Sequence, residues 1–473
     1  MRALAHLTLA LSLITSPLAT LAADAIPAPV ARALKNAGLP STSVAIVVQE
    51  VDARRPRISV NAAQPLNPAS VMKLLTTYGA LELLGPAYTW KTEAYTRGKL
   101  TDGVLEGDLI LKGYGDPKLT LENFWLLQRQ LRARGLREIH GDLVLDRSFF
   151  EAVDYDPAHF DNEPLRAYNV APDALLVNFK AVRFQFVPQP ATQSVQVIAD
   201  PLPAQVEILN LLKLTAAPCN GWKEALRTDV TPTATGVRVT FTGSYAAACG
   251  EKSMAMSLLT HPQYVYGVFR RLWEEAGGKL TGALREGALP ADAQRMAVIE
   301  SPTLSEVVRD INKYSNNVMA RQVYLTLGAE ATKRPAREPD AETAVRDWLT
   351  RKELKMPELI IDNGAGLSRN ARVSAESLSK LLLAAYASPV MPEFLASLPL
   401  AAIDGTMQKR LNGIAGQAHI KTGSIEGARA IAGYVLDKNG KQQVVVFMVN
   451  HPHAAASQAA QDVLLQCVYE RGC

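Results

Sequence analysis

Two blocks of β-branched sequence, one near each end of the chain, constrain the fold more than any other feature. Ser43-Val44-Ala45-Ile46-Val47-Val48 reads as a strand, with Ile58-Ser59-Val60 its partner across the turn from Asp52 to Pro56. Residues 417–422, 429–436 and 442–449 read as three more strands. The last two are joined through Lys438-Asn439-Gly440, whose Asn-Gly is the strongest short hairpin signal. A helix is expected from Ala454 to Tyr469. After the first strand pair, the turn signal Asn67-Pro68 precedes apolar residues at 71, 74, 75, 78 and 81, a helical spacing stopped by Gly85-Pro86. Strands at both ends with helices between them predict one α+β domain assembled from distant segments.

The middle of the chain has a different texture. Its 473 residues, at roughly 150 per domain, suggest about three domains. From 90 to 289, short strand-like runs alternate with Gly, Pro and Asp turns, as expected of β-rich domains inserted into the first. Gly107-Asp108-Leu109-Ile110-Leu111 recurs in type as Gly141-Asp142-Leu143-Val144-Leu145. One recurrence is too little for a solenoid, and the two runs read as hairpin strands flanking a helix over 121–135. The expected division is a leader at 1–22, a discontinuous domain of 23–89 and 290–473, and the insertion at 90–289.

Composition excludes several classes. Hydrophobic residues are 48% and charged residues 20%, which is not the signature of disorder. The formal charge of +4 is spread along the chain with no basic run, so nucleic acid is not an expected partner. Arg2, the apolar run Leu4 to Ile14 and the small-residue site around Thr20-Leu21-Ala22 read as a cleaved export signal. That run is too short for about 30 Å of hydrocarbon, so a stable membrane span is not expected and a periplasmic location is. Four cysteines in an oxidising compartment allow three pairings, among which sequence does not choose; neighbour pairing, Cys219 with Cys249 and Cys467 with Cys473, is the expectation. There is no Cys-x-x-Cys and no His-Glu-x-x-His, and the alternating His451 and His453 read as a solvated pair rather than metal ligands.

Few histidines and no Gly-x-Ser-x-Gly leave a Ser-Lys pair as the best nucleophile. Ser70-Val71-Met72-Lys73 opens the first helix, which places Ser70 and Lys73 on one face. A hydroxyl needs a base to take its proton, and a lysine of lowered pKa can do so. Alone the match is weak: at roughly 6% usage for each residue, one or two such pairs arise by chance. A second, Ser377-Leu378-Ser379-Lys380, lies on an ordinary amphipathic helix after a Ser374 cap. Ser-x-Asn is ambiguous too, occurring as Ser315-Asn316-Asn317 and again as Ser368-Arg369-Asn370. Lys421-Thr422-Gly423-Ser424 on an expected edge strand supplies a cation and hydroxyl to grip a carboxylate, with a glycine that lets substrate approach the backbone.

Ser-x-x-Lys, Ser-x-Asn and Lys-Thr-Gly in that order are the signature of penicillin-binding proteins and serine β-lactamases. The chain resembles the low-molecular-mass class C penicillin-binding proteins, the D-alanyl-D-alanine carboxypeptidase/endopeptidases of peptidase family S13. Gly107-Asp108-Leu109 with Gly115-Asp116-Pro117, Asn363 to Arg369, Asp404-Gly405-Thr406 and the long insertion between the first two motifs carry the resemblance. It implies the β-lactamase/transpeptidase-like domain and two inserted β-rich domains. It implies acyl transfer from peptidoglycan stem peptides and cross-links to Ser70, β-lactams as covalent inhibitors, and no cofactor or metal. By matching position, Lys73 would be the base, and Ser315 a proton relay to the departing amine. Asn317 would hold the substrate amide and orient Lys73. Lys421 and Thr422 would bind the terminal carboxylate, and the N–H groups of Ser70 and Ser424, flanking Gly423, would form the oxyanion hole. The family's usual Asp-Gly-Ser-Gly reads Asn363-Gly364-Ala365-Gly366 in this chain.

Further expectations follow. Burial beside Lys421 should lower the Lys73 pKa when the site is occupied. Tyr314-x-Asn316, which resembles class C β-lactamases, is the rival parse of the second motif; under Ser-x-Asn, Tyr314 should pack in the interior and Asn316 face away. A serine β-lactamase and a catalytically inactive peptidoglycan-binding protein are the alternative functions.

Overall fold

A computed structural model describes residues 25–473, so the leader expected at 1–22 lies outside the described residues. The terminal blocks do meet. Val44–Glu50 pairs antiparallel with Gln442–Asn450 on one side and with Ile58–Val60 on the other. Gln442–Asn450 pairs with Ala428–Leu436, and that strand with Ala418–Ile425, which completes a five-stranded sheet with Ala418–Ile425 at its edge. Alternation then builds two cores. Ala45, Val47, Ala432, Tyr434, Val446 and Met448 face one, while Val44, Ile46, Val48, Ile431, Val445 and Phe447 face the other. A sheet buried on both faces needs helices on both, and it has them. Ala28–Asn36 and Gln458–Glu470 cover one face; Lys73–Leu84, Leu304–Tyr314, Asn317–Thr332, Glu338–Arg351 and Ala375–Tyr386 build the layer on the other.

The middle folds around its own core, which runs through Leu109, Leu143, Phe184, Phe241, Val268 and Trp273. The first Gly-Asp run is a hairpin strand, pairing antiparallel with Lys91–Thr101 across the turn at Asp102-Gly103, but the second is not. Leu109 to Lys112 pairs parallel with Leu143 to Asp146, in the register of the sequence recurrence. The Leu121–Ala133 helix supplies the crossover that a parallel pair requires. A third copy, Gly282-Ala283-Leu284, stacks on the second through Leu284↔Leu143. Glycine is required there: a Cβ on Gly141 would lie 2.4 Å from Gly107 O, and one on Gly282 1.9 Å from Gly141 O. Each aspartate receives the next layer's N–H, Asp108 from Asp142 at 2.8 Å and Asp142 from Ala283 at 2.9 Å. The same sheet takes in Gln294–Glu300 through pairing with Lys91–Thr101, so it draws on residues beyond position 290. Two smaller sheets complete the insertion, and Cys219–Cys249 and Cys467–Cys473 are the disulfides.

A strap from the insertion lies along the Asn317–Thr332 helix. The Asp173 N–H donates to Gln322 Oε1 at 2.7 Å, and Gln322 Nε2 returns a bond to Asp173 O at 2.8 Å. Val170 and Leu176 pack on Val318. The insertion thereby touches the helix that begins at Asn317.

Candidate active site

Ser70 does not sit in the α-helix itself. Ala69–Met72 forms a 3₁₀ turn, and the α-helix starts at Lys73. Ala69, immediately before the serine, holds φ +46°, a left-handed conformation a non-glycine residue adopts only when its surroundings enforce it. The enforcement is visible. The Ala69 N–H donates to Asn67 Oδ1 at 2.9 Å, while Asn67 itself donates from its N–H to Asn450 Oδ1 at 2.7 Å and receives Asn450 Nδ2 on its carbonyl at 3.0 Å. The last strand of the sheet therefore holds the turn that presents Ser70.

Lys73 Nζ donates to Ser70 Oγ at 3.0 Å, Asn317 Oδ1 at 2.6 Å and Ala365 O at 2.6 Å. Those partners come from three separate segments, and no carboxylate pairs with the amine among the described residues. Burial, then the charges of Lys421 and Arg321, holds its pKa well below the ordinary lysine value. The protein's own atoms suffice for this, so the occupant invoked from sequence is not needed. Lys421, also buried, donates to Ser315 Oγ at 2.9 Å and Thr422 O at 2.6 Å, and desolvation lowers it to about 7. Two buried lysines of lowered pKa within one site give it groups able to take up and release protons.

The second motif spans a break between helices. Ser315 caps the end of Leu304–Tyr314 with φ +57°, and Asn316 caps the start of Asn317–Thr332, its side chain accepting the Met319 N–H at 3.0 Å. This kink aims Ser315 at Lys421 and Asn317 at Lys73. Asn316 is occupied as a cap. Tyr314, expected in the interior, is instead 66% exposed, because the left-handed turn at Ser315 swings the preceding residue to the surface.

Strand Ala418–Ile425 carries the third motif past the nucleophile. A Cβ on Gly423 would come within 2.5 Å of Pro68 O and 3.0 Å of Ser70 N, so only glycine lets the strand lie this close. Thr422 Oγ1 donates to Thr406 Oγ1 at 2.7 Å. Ser70, Lys73, Ser315, Asn317, Lys421 and Thr422 thus form one linked site, with Gly423 packed on the serine turn and Ser424 next along the strand.

The competing matches are structural. Ser368 Oγ accepts the Asn370 and Ala371 N–H groups at 2.9 and 3.0 Å, a turn closure. Ser377 gives its N–H to the Ser374 cap, and Lys380 pairs with Glu376 at 2.6 Å. His453 donates its N–H to His451 Nδ1 at 3.1 Å. The Asn363 departure also has a role. Its Oδ1 accepts the Ala365 N–H at 3.0 Å and its Nδ2 donates to Leu367 O at 2.9 Å, a pair an aspartate could not complete. Asn363 thereby shapes the loop whose Ala365 carbonyl receives Lys73. Asn67, Asn450, Thr406 and the Ala365 carbonyl are site residues that motif reading missed. Asn67-Pro68 signals only a turn, and a backbone carbonyl has no sequence signature.

A serine and lysine at the head of a buried helix, a Ser-x-Asn kink and Lys-Thr-Gly on the edge of a five-stranded sheet place this molecule among the penicillin-recognising serine hydrolases. More narrowly, residues 27–468 match the D-Ala-D-Ala carboxypeptidase 3 (S13) family, and the chain belongs to it, a serine peptidase by family. A D-alanyl-D-alanine carboxypeptidase of Actinomadura sp. (strain R39) is 28% identical over 91% of this chain and 82% of its own. The crystal structure of penicillin binding protein 4 from Haemophilus influenzae matches with TM-score 0.75 at 22% identity, covering 92% of this chain and 99% of that one. A predatory endopeptidase from Bdellovibrio bacteriovorus shares the fold at TM-score 0.54 and 16% identity, over 91% of this chain and 94% of that one. Among the described residues, no helix is long and apolar enough to cross a membrane.

Proposed function

We propose that Ser70 Oγ attacks the carbonyl carbon of the penultimate D-alanine of a peptidoglycan stem peptide and forms an acyl-enzyme. Neutral Lys73 takes the serine proton across the 3.0 Å contact between them. The tetrahedral oxyanion sits between the N–H groups of Ser70 and Ser424. Protonated Lys421 with Thr422 receives the terminal carboxylate, and Ser315, held by Lys421 at 2.9 Å, passes a proton to the departing D-alanine amine. Asn317 orients Lys73 and holds the substrate amide. Lys73 becomes neutral again as the proton it took is handed on to replace the one given to the amine. It then takes a proton from the water that attacks the ester and returns it to Ser70 Oγ as the shortened peptide leaves. The same chemistry opens a D-alanyl cross-link, and β-lactams acylate Ser70. We further propose a catalytic domain built from 23–89 and the chain beyond Glu300, an inserted β-rich region between them, and export to the periplasm through the leader.

One observation carries this reading: the hydrogen bonds from Lys73 to Ser70 and Asn317 and from Lys421 to Ser315 join all three motifs. A β-lactamase needs a second group to drive rapid hydrolysis of a penicilloyl ester, and no carboxylate of the described residues is hydrogen-bonded to Ser70 or Lys73. Purified protein should release D-alanine from monomeric muropeptides and monomers from cross-linked dimers, read by mass. Rapid multiple turnover of a chromogenic cephalosporin with both muropeptides untouched would replace this reading with a β-lactamase.

A further inference from the structure

An ion pair between a buried lysine and a half-exposed aspartate lies behind the site. Lys313, 5% exposed in the last turn of Leu304–Tyr314, donates from Nζ to Asp404 Oδ1 at 2.9 Å and to Leu398 O at 2.6 Å. Asp404 Oδ1 also accepts the Leu400 N–H at 2.8 Å. These contacts stand at the root of two catalytic segments. Lys313 is two residues before Ser315 on one side. On the other, Asp404 leads into Gly405, whose added Cβ would fall 2.5 Å from Lys313 O, and Thr406, which receives the Thr422 hydroxyl at 2.7 Å. The same segment lies on the outer edge of the strand that bears Lys421. The Ile420 N–H donates to Pro399 O at 2.8 Å and the Ala401 N–H to Ala418 O at 2.9 Å.

We infer that Lys313 and Asp404 are positioning residues, an ion-pair strut that fixes the spacing between Ser315 and the Lys421–Thr422 strand. The pair touches neither substrate nor Ser70 and acts through two short backbone lengths. Ser315 is held on a left-handed turn, a conformation a non-glycine residue keeps only where its surroundings enforce it, so its aim depends on what anchors the helix behind it. Thr422 Oγ1 likewise depends on Thr406, whose place is set by Asp404. Loss of the Asp404 carboxylate leaves the buried Lys313 amine without its counter-ion, and loss of Lys313 frees the half-exposed Asp404; either favours rearrangement of the segment around it. A displacement of about 1 Å at a catalytic group costs up to about 10²-fold.

The inference rests on the proposed roles of Ser315 and Thr422, and its test is a double-mutant cycle. D404N is nearly isosteric and K313M removes the cation. With each protein shown folded by its melting curve, kcat/KM for a stem peptide ending in D-Ala-D-Ala should fall about 10- to 100-fold in each single variant. The double variant should fall no further than the worse single, because both remove one strut. Both single variants should show the same split between lowered kcat and raised KM, because the one strut places both Ser315, which relays the proton, and Thr422, which grips the carboxylate. A merely structural pair would lower the melting temperature and leave kcat/KM of the folded enzyme unchanged. Folded D404N acting within twofold of wild type, or losses that multiply in the double variant, would overturn the strut; if K313M does not fold, D404N alone decides. Acylation of wild type by benzylpenicillin in the same series separates a failed strut from a failed Ser70 assignment.

Discussion

At the residue scale, the site is built from two lysines in surroundings hostile to their charge. Lys421 is lowered from 10.5 to about 7 by desolvation, and Lys73 lies well below its ordinary value. The consequence for stability has a definite sign. Below about pH 7 Lys421 is protonated in both folded and unfolded chains, so the folded state carries the whole desolvation cost. Between about 7 and 10.5 the unfolded chain binds more protons, and stability rises with pH as that cost is relieved. Calorimetry should therefore find K421M more stable than wild type at pH 6, with the gap narrowing as pH approaches 10.5. A gap that widens with pH would mean Lys421 is held as a stabilised cation. The identities of Ser70, Lys73, Lys421 and Thr422 were legible from motif order and setting. Asn67 and Asn450 were not, since two amides 383 positions apart reveal nothing of their bond in sequence.

Among elements, the decisive one is the break between Leu304–Tyr314 and Asn317–Thr332. Periodicity locates helices but not the left-handed residue between them, which is why the surface position of Tyr314 was missed. The geometry settles which parse points inward: Ser315 bonds Lys421 while Tyr314 is exposed. S315A should slow peptide hydrolysis by about 10²–10⁴, the usual range for loss of a proton-transfer group. Y314F should stay within a few-fold and melt as wild type does. Silent S315A with inactive Y314F in steady-state assays would reverse the two roles. The Gly-Asp repeats show the same limit. Their similarity was visible, but the sequence did not say whether the runs pair in parallel. The answer lies in the Gly141–Gly107 and Gly282–Gly141 backbone contacts.

For the whole molecule, the terminal segments form the five-stranded sheet beside the candidate site and the insertion is a separately cored body that reaches the site through the strap over Gln322. Distant strands were readable because alternation and turn chemistry are local, whereas the strap's contacts are long-range and polar. The Cys219–Cys249 bond closes a loop wholly within the insertion. Its replacement by C219S/C249S should lower the stability of that body by about 2–4 kcal/mol in a denaturant titration. Penicillin acylation should be unchanged within twofold; a collapse of acylation in the folded variant would make the disulfide part of the catalytic framework. The central claim, that segments at 70, 315 and 421 act as one acylating site with Lys73 as base, is tested most directly by mass spectrometry of the protein after benzylpenicillin. Wild type should gain one penicilloyl group on the peptide containing Ser70. K73R, which keeps the charge but cannot surrender the proton, should remain almost unlabelled over the same time. Full labelling of K73R, or a penicilloyl group on any residue other than Ser70, would contradict the account.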